Sequence, residues 1–115
     1  MSDRSDYAKL ESILEYIENI DIIIARHNSI SEALNDIEGQ YALLMCIQQI
    51  GELMNIIESN ELRALLPVKE AVGFRNVIVH NYGGVNLPST EMTLEKEIPK
   101  LKETIKSILE NKDIR

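Results

Sequence analysis

Four residues of this 115-residue chain have the types and spacing to act on a phosphodiester: Arg75, Asn76, His80 and Tyr82. Cutting an RNA strand requires that the 2′-hydroxyl lose its proton, that the five-coordinate phosphate be stabilised, and that the leaving oxygen be protonated. An imidazole titrates near ~6.5 and serves as general base or acid, the role open to His80. A guanidinium offers a planar fork of donors that matches phosphate, the role open to Arg75. The Tyr82 hydroxyl can donate to phosphate and its ring can pack on a base. Asn76 can hold the His80 tautomer or bind phosphate. This chemistry calls for no metal and no cofactor. Cys46 is the single cysteine, so a thiolate cluster is excluded, and His27 is the only other histidine.

Each of these residues also has an ordinary reading. His80 can be a helix-end histidine favoured by the helix dipole. Arg75 can pair with Glu70 or Glu52. Tyr82 can sit at a bundle edge with its hydroxyl in water. His27, between Arg26 and Asn28, reads as a solvated helix cap.

The four lie in a segment whose apolar members Ala71, Phe74 and Ile78 recur at helical spacing. At about 100° per residue, Arg75 and Tyr82 fall just beside that stripe. Asn76 and His80, i and i+4, fall on a face turned well away, together with Val72 and Val79. Such a helix needs a neighbour on each of two faces. The bundle supplies one, and a second copy of the chain about a two-fold axis is the simplest source of the other. His80 then meets Arg75 and Tyr82 in one of two ways: the helix end unwinds at His80-Asn81-Tyr82, or Arg75 of one chain meets His80 of the other.

The rest of the chain supplies the scaffold. Leu10, Ile13, Ile17, Ile20 and Ile24 form a helical stripe, as do Leu43, Ile47, Ile50, Met54 and Ile57, and Leu94, Ile98, Leu101, Ile105 and Ile108. The spacing predicts a single domain over 1–115, all-α, an antiparallel up-and-down bundle of four to five helices. The predicted helices span about 5–26, 38–58, 67–81 and 91–111. A short helix over about 30–36 is capped by Ser29 with Glu32 in a capping box. Pro67 suits a first helical turn and Gly83-Gly84 a helix stop. Pro99 should kink the last helix or start a new one. Gly51 allows close helix contact beside Glu52, the polar exception on that stretch. Cys46, inside an apolar run, reads as a buried hydrophobe, and Met45, Met54 and Met92 as core or interface filler. Glu91, Glu95, Glu97 and Glu103 read as a solvated face, or as a dock for a basic partner.

At this point the chain resembles a known family. Arg75-Asn76-x-x-x-His80-x-Tyr82 is similar to the Arg-x4-His-x-Tyr signature of HEPN ribonucleases, in the Arg-Asn form of HepT-like toxins. Ile50-Gly51-Glu52, the loop Gly84-Val85-Asn86-Leu87 and Ile98-Pro99-x-Leu101 resemble the same family in the same order, over roughly residues 6–110. The family often carries a Trp at the start of the last helix, which this chain lacks. The resemblance implies a HEPN-like helical bundle that dimerises through the motif helix and cuts RNA without a metal, leaving a cyclic phosphate. It implies catalytic roles for Arg75 and His80 and supporting roles for Asn76 and Tyr82. It also implies a partner, the minimal nucleotidyltransferase MntA, acting as antitoxin by attaching AMP to Tyr82.

The net charge of −7 runs against nucleic-acid binding, which needs clustered Lys and Arg. Acidic residues placed away from the site, or a basic partner, would reconcile the two. A competing reading is a non-catalytic helical subunit that presents a nucleotide or substrate to a nucleotidyltransferase; a third is a purely structural dimerisation domain. The polar N-terminus has no apolar core of a signal peptide, and no run approaches the ~18 apolar residues of a membrane span. The expectation is a cytoplasmic protein with RNA, not DNA or membrane, as its target.

Overall fold

Helix starts in this chain are written by short polar residues that cap exposed backbone N–H groups. Ser5 accepts from Ala8 N at 3.1 Å, Ser29 from Glu32 N at 3.0 Å, Asp36 from Gly39 N at 2.8 Å, Ser59 from Leu62 N at 3.2 Å, and Asn86 from Ser89 N at 2.9 Å. The computed structural model describes residues 5–114, with side chains to residue 111. Behind these caps run α1 (Asp6–Ala25), α2 (Ile30–Asn35), α3 (Ile37–Asn55), α4 (Asn60–Leu65), α5 (Val68–His80), a 3₁₀ turn (Tyr82–Gly84), α6 (Leu87–Met92), a π-helical turn (Thr93–Glu97) and α7 (Ile98–Ile114).

The predicted stripes become the core. Leu10, Ile13, Ile17 and Ile20 of α1, Leu43, Ile47, Ile50 and Met54 of α3, and Leu94, Ile98, Leu101, Ile105 and Ile108 of the last helical run are all buried. Each contributes roughly 1.5–3 kcal/mol of apolar burial. α3 is central, with α1 and α5 packed against it and α7 against α1. The pairs are antiparallel. Lys9 near the start of α1 reaches Ile56 O just past α3, whereas His27 just past α1 meets Asp36 before α3. Tyr82 beyond α5 meets Gln40 at the start of α3, and Lys102 of α7 meets Asp21 of α1. The all-α bundle is therefore as expected.

Several boundaries differ from expectation for local reasons. α4 was not anticipated: Ser59 starts a helix of only 6 residues, too short to show a period. Pro67 precedes α5 and does not open it; its carbonyl accepts from Ala71 N. Gly83-Gly84 do not stop α5. The break comes at Asn81, which leaves the helical region at φ −154°, ψ 66°, and none of the described glycines has a positive φ. The last helical run begins at Leu87, not near 91, because Asn86 caps it and Pro88 fits its first turn. Pro99 acts as expected but through the turn before it: Ile98 N bonds to Thr93 O, five residues back, and this wider π turn leads into the proline. The Ser29 half of the capping box forms, but among the described residues the Glu32 carboxylate makes no return bond.

The α3–α4 corner carries most of the buried charge. Lys9, 0% exposed, donates to Ile56 O at 2.8 Å and pairs with Asp6 at 3.3 Å. Burial alone would raise the Asp6 carboxyl, but the Glu58 and Ser59 N–H groups and the Lys9 ammonium hold it below the usual carboxylate range. Arg63 Nη1 donates to Ile57 O at 2.9 Å and Asn55 O at 3.2 Å, satisfying carbonyls that the end of α3 leaves open.

His27 is half-buried and not the solvated cap expected. Nδ1–H donates to Ile23 O at 2.9 Å and Nε2 lies 3.4 Å from Asp36 Oδ2. The Ile23 carbonyl, then Asp36, raise its pKa against a smaller opposing effect of burial. A raised folded-state pKa adds stability below the unfolded value of about 6.5, and that contribution is lost as pH rises through the folded value. Thermal unfolding of wild type and His27→Gln should therefore show a larger gap in melting temperature near pH ~5.5 than near pH ~8.5. A gap that stays constant, or widens with pH, would count against this pairing.

Candidate active site on the motif helix

α3 and α5 meet where neither backbone carries bulk between them. A Cβ added at Gly51 would lie 2.6 Å from Arg75 Cβ and 2.8 Å from Ala71 O, so only glycine allows this approach. From there α5 lays Ala71, Arg75, Ile78 and then Tyr82 along α3. Arg75 Nε sits 2.8 Å from Glu52 Oε1, but its N–H is not aligned on that oxygen, so charge attraction rather than a directed hydrogen bond holds the pair. Both side chains are partly exposed, and such pairs contribute only ~0–1 kcal/mol. Arg75 Nη1 donates to Asn76 Oδ1 at 2.6 Å. Two neighbours thus pre-orient a guanidinium that stays reachable from solvent.

Further along, Tyr82 Oη–H donates to Gln40 Oε1 at 3.1 Å, and the Tyr82 ring meets Tyr41 edge-on, centroids 5.6 Å apart at 77°. Burial, then the neighbouring Tyr41, raises the Tyr82 pKa. Tyr82 and Tyr41 line a cavity of about 370 Å³ with Leu44, Met45, Gln48 and Ile78. Tyr82 remains 39% exposed. The chain leaves the α5 helix at Asn81, one residue before Tyr82.

His80 is the last residue of α5 and is exposed, as is Asn76. Among the described residues neither His80 nitrogen has a hydrogen-bond partner, and Asn76 bonds Arg75 rather than His80. The unwinding that would swing His80 inward does not occur, because α5 stays helical through His80 and breaks one residue later. His80 therefore points about 140° around the helix from Arg75, and Tyr82 lies about 10 Å along it. A single chain gathers Arg75 with Asn76 and Tyr82 with Tyr41, but not Arg75, His80 and Tyr82 together. Val77 and Val79 beside His80 are exposed, as are Ile37, Tyr41 and Met45 on α3, while Val72 is half-buried. The second face of α5 thus has no neighbour within the chain.

The acidic residues are unevenly spread along the chain. Residues 39–51 and 71–90 contain no Asp or Glu, although the chain holds 19. Within those two stretches Arg75 is the only Lys or Arg, and His80 the only histidine. Glu52 stands just past the end of the first stretch. Glu95, Glu97 and Glu103 are exposed on the last helical run, as expected of a solvated face, and Glu91 is half-exposed there. Cys46 is buried and burial raises its thiol pKa; Met54 is core, whereas Met45 and Met92 are exposed. Among the described residues no three His, Cys, Asp or Glu side chains are placed to hold a metal ion. No described helix is long and apolar enough to cross a membrane.

A model of the ribonuclease HepT-like family matches residues 13–108. The chain belongs to the ribonuclease HepT-like family. An RNA endonuclease is the enzyme class that membership gives. A protein of Methanocaldococcus jannaschii provisionally named an RNase is 31% identical over 96% of this chain and 93% of its own length. A second from that organism, named likewise, is 30% identical over 96% of this chain and 97% of its own. A protein of Thermococcus cleftensis, provisionally named ribonuclease HepT, is 31% identical over 86% of this chain and 91% of its own. No solved structure matches the chain significantly.

The sequence singles out Arg75, Asn76, His80, Tyr82, Gly51 and Glu52, but not the α3 residues opposite Tyr82: Tyr41 and Gln48 of the cavity wall, and Gln40, which accepts from the Tyr82 hydroxyl. The available signals were Ile37, Tyr41 and Met45 at i, i+4, i+8 and the uncharged run 39–51. Because the Gly51 contact sets the height of Arg75 and Tyr82 on α3, Gly51→Ala should destabilise the fold. Overpacking costs ~1–3 kcal/mol, opposed by ~1 kcal/mol from the better helix former. Denaturant unfolding reads the balance, and a clearly stabilised variant would contradict the close approach.

Proposed function

We propose that this chain is a metal-independent endoribonuclease toxin of a HepT/MntA type toxin–antitoxin pair, type VII-like, working as a cytoplasmic homodimer. The observation that carries this reading is Arg75, Asn76, His80 and Tyr82 in a stretch, residues 71–90, that holds no Asp or Glu in an otherwise acidic chain, with Glu52 the one carboxylate paired to Arg75 among the described residues. In the mechanism, His80 takes the proton from the RNA 2′-hydroxyl. The oxygen attacks the adjacent phosphorus, and the bond to the 5′-oxygen breaks. The 5′-oxygen is protonated by an imidazolium, and the product carries a 2′,3′-cyclic phosphate. Arg75, turned by Glu52 and Asn76, lies against the non-bridging oxygens as charge builds on them. Tyr82 positions the strand. Since Arg75 and His80 diverge in one chain, the second copy that covers Val77, Val79 and His80 brings the pair together across the two-fold axis.

The antitoxin is a minimal nucleotidyltransferase. Tyr82 oxygen attacks the α-phosphorus of ATP, pyrophosphate leaves, and the phenolic proton passes to a base on the partner. The hydroxyl must first release Gln40, a small step for a ring already partly exposed. The attached AMP adds negative charge to the groove between Tyr82 and Arg75 and fills space needed by substrate. The competing reading, a non-catalytic nucleotide- or partner-binding subunit, predicts binding without cleavage.

Incubating the purified chain with RNA in EDTA separates the two. Wild type should cut, while His80→Ala and Arg75→Ala should each lose about 100-fold or more. Variants as active as wild type, or activity abolished by EDTA, would overturn the assignment. Peptide mass spectrometry after co-expression with the adjoining nucleotidyltransferase should place one AMP on Tyr82; AMP on another residue would refute that part.

A further inference from the structure

We propose that the cavity between α3 and α5 is a nucleobase subsite: one unpaired base of the RNA packs against the Tyr41–Tyr82 pair that lines it and is read by the side-chain amide of Gln48. This deepens the ribonuclease reading and rests on it.

The cavity wall is built for a flat, partly polar ring. Its volume of about 370 Å³ lies at the small end of the ~300–1,000 Å³ of ligand pockets, so it suits one base with its sugar. Leu44 and Ile78 form an apolar floor and Met45 an adaptable rim. Tyr41 and Tyr82 present ring surface beside it, and an aromatic face accepts any base by stacking. Two amides lie close by, and they differ. Gln40 is fully engaged, donating to Leu34 O and accepting from Tyr82. Gln48 lines the cavity, is half-buried, and has no hydrogen-bond partner among the described residues. An amide carries both donor and acceptor, which is what pairing with a base edge requires.

The electrostatics favour this occupant over an acidic peptide or a plain apolar one. The cavity wall has no ionised side chain, so a neutral base is desolvated there without an opposing charge. Arg75, the only Lys or Arg in residues 39–51 and 71–90, lies one turn before Ile78 on α5, toward Gly51. A nucleotide with its base in the cavity would extend its phosphate toward that guanidinium. The base specificity of the enzyme would then reside on α3, in Gln48, and not on the motif helix.

The test uses the whole chain with methyl-labelled methionine, following the Met45 methyl resonance while the 3′-monophosphates of adenosine, guanosine, cytidine and uridine, or inorganic phosphate, are added. The expected result is a saturable shift of Met45 by nucleotides, largest for one base, with phosphate alone inert. Gln48→Leu should lower the preference for that base by about tenfold in the sites of RNA cleavage. No nucleotide shift at Met45, an equal shift by phosphate, or a Met45 shift that follows protein concentration alone would overturn the subsite, the last by assigning the cavity to a second copy. RNA cleavage with a silent Met45 would remove the subsite and leave the ribonuclease reading standing. Base-selective binding without any cleavage would do the reverse.

Discussion

Gly51 holds α3 and α5 at a distance that any side chain would widen, and the site follows from that contact. Once the Gly51 backbone lies on Ala71 and Arg75, the residues of α5 have their heights on α3 assigned in order. Arg75 falls beside Glu52, Ile78 behind Leu44 and Gln48, and Tyr82 beside Gln40 and Tyr41. The free energy of this arrangement comes mainly from the buried aliphatic stripes of α1, α3 and α7. Its register, however, comes from a missing Cβ. Packed helices have few discrete arrangements, so a small steric feature can decide among them.

Charge is partitioned along the same lines. A phosphate-directed site in an acidic chain is easier to hold where carboxylates are few. The stretches 39–51 and 71–90 make the walls of the groove and the open face of α5 without one carboxylate. Among the described residues Glu52, just past the end of the first stretch, is the one acid paired with Arg75. This pairing keeps the guanidinium extended and costs little to exchange, because both partners remain partly in water. Two acids elsewhere act as cap and clamp: Asp36 starts α3, and Asp6 ties Lys9 to the α3–α4 corner.

Much of this was legible in the residues. Three aliphatic stripes at helical spacing gave the bundle, and the Arg-x4-His-x-Tyr spacing with Ile50-Gly51-Glu52 gave the candidate site and its family. What stayed hidden depended on short elements or long-range contacts. α4 has too few residues to show a period. Asn81, rather than the Gly83-Gly84 pair, ends α5, because the break is made at negative φ and needs no glycine. His27 looks like a surface residue until Asp36, nine positions on, folds back against it. Gln40, Tyr41 and Gln48 carry no motif, and their place opposite Tyr82 arises only when α3 and α5 pack. The same packing shows that Arg75 and His80 leave α5 in different directions, a result that helical geometry had anticipated.

The central claim is thus that one chain holds the parts and two chains hold the site. Mixing two inactive variants tests it most directly: Arg75→Ala and His80→Ala, denatured and refolded together, against each refolded alone. A site built from Arg75 of one chain and His80 of the other predicts that the mixture regains RNA cleavage, since a mixed dimer contains one site with both groups intact. A mixture as inactive as its components, with mixed dimers demonstrably present, would contradict the account.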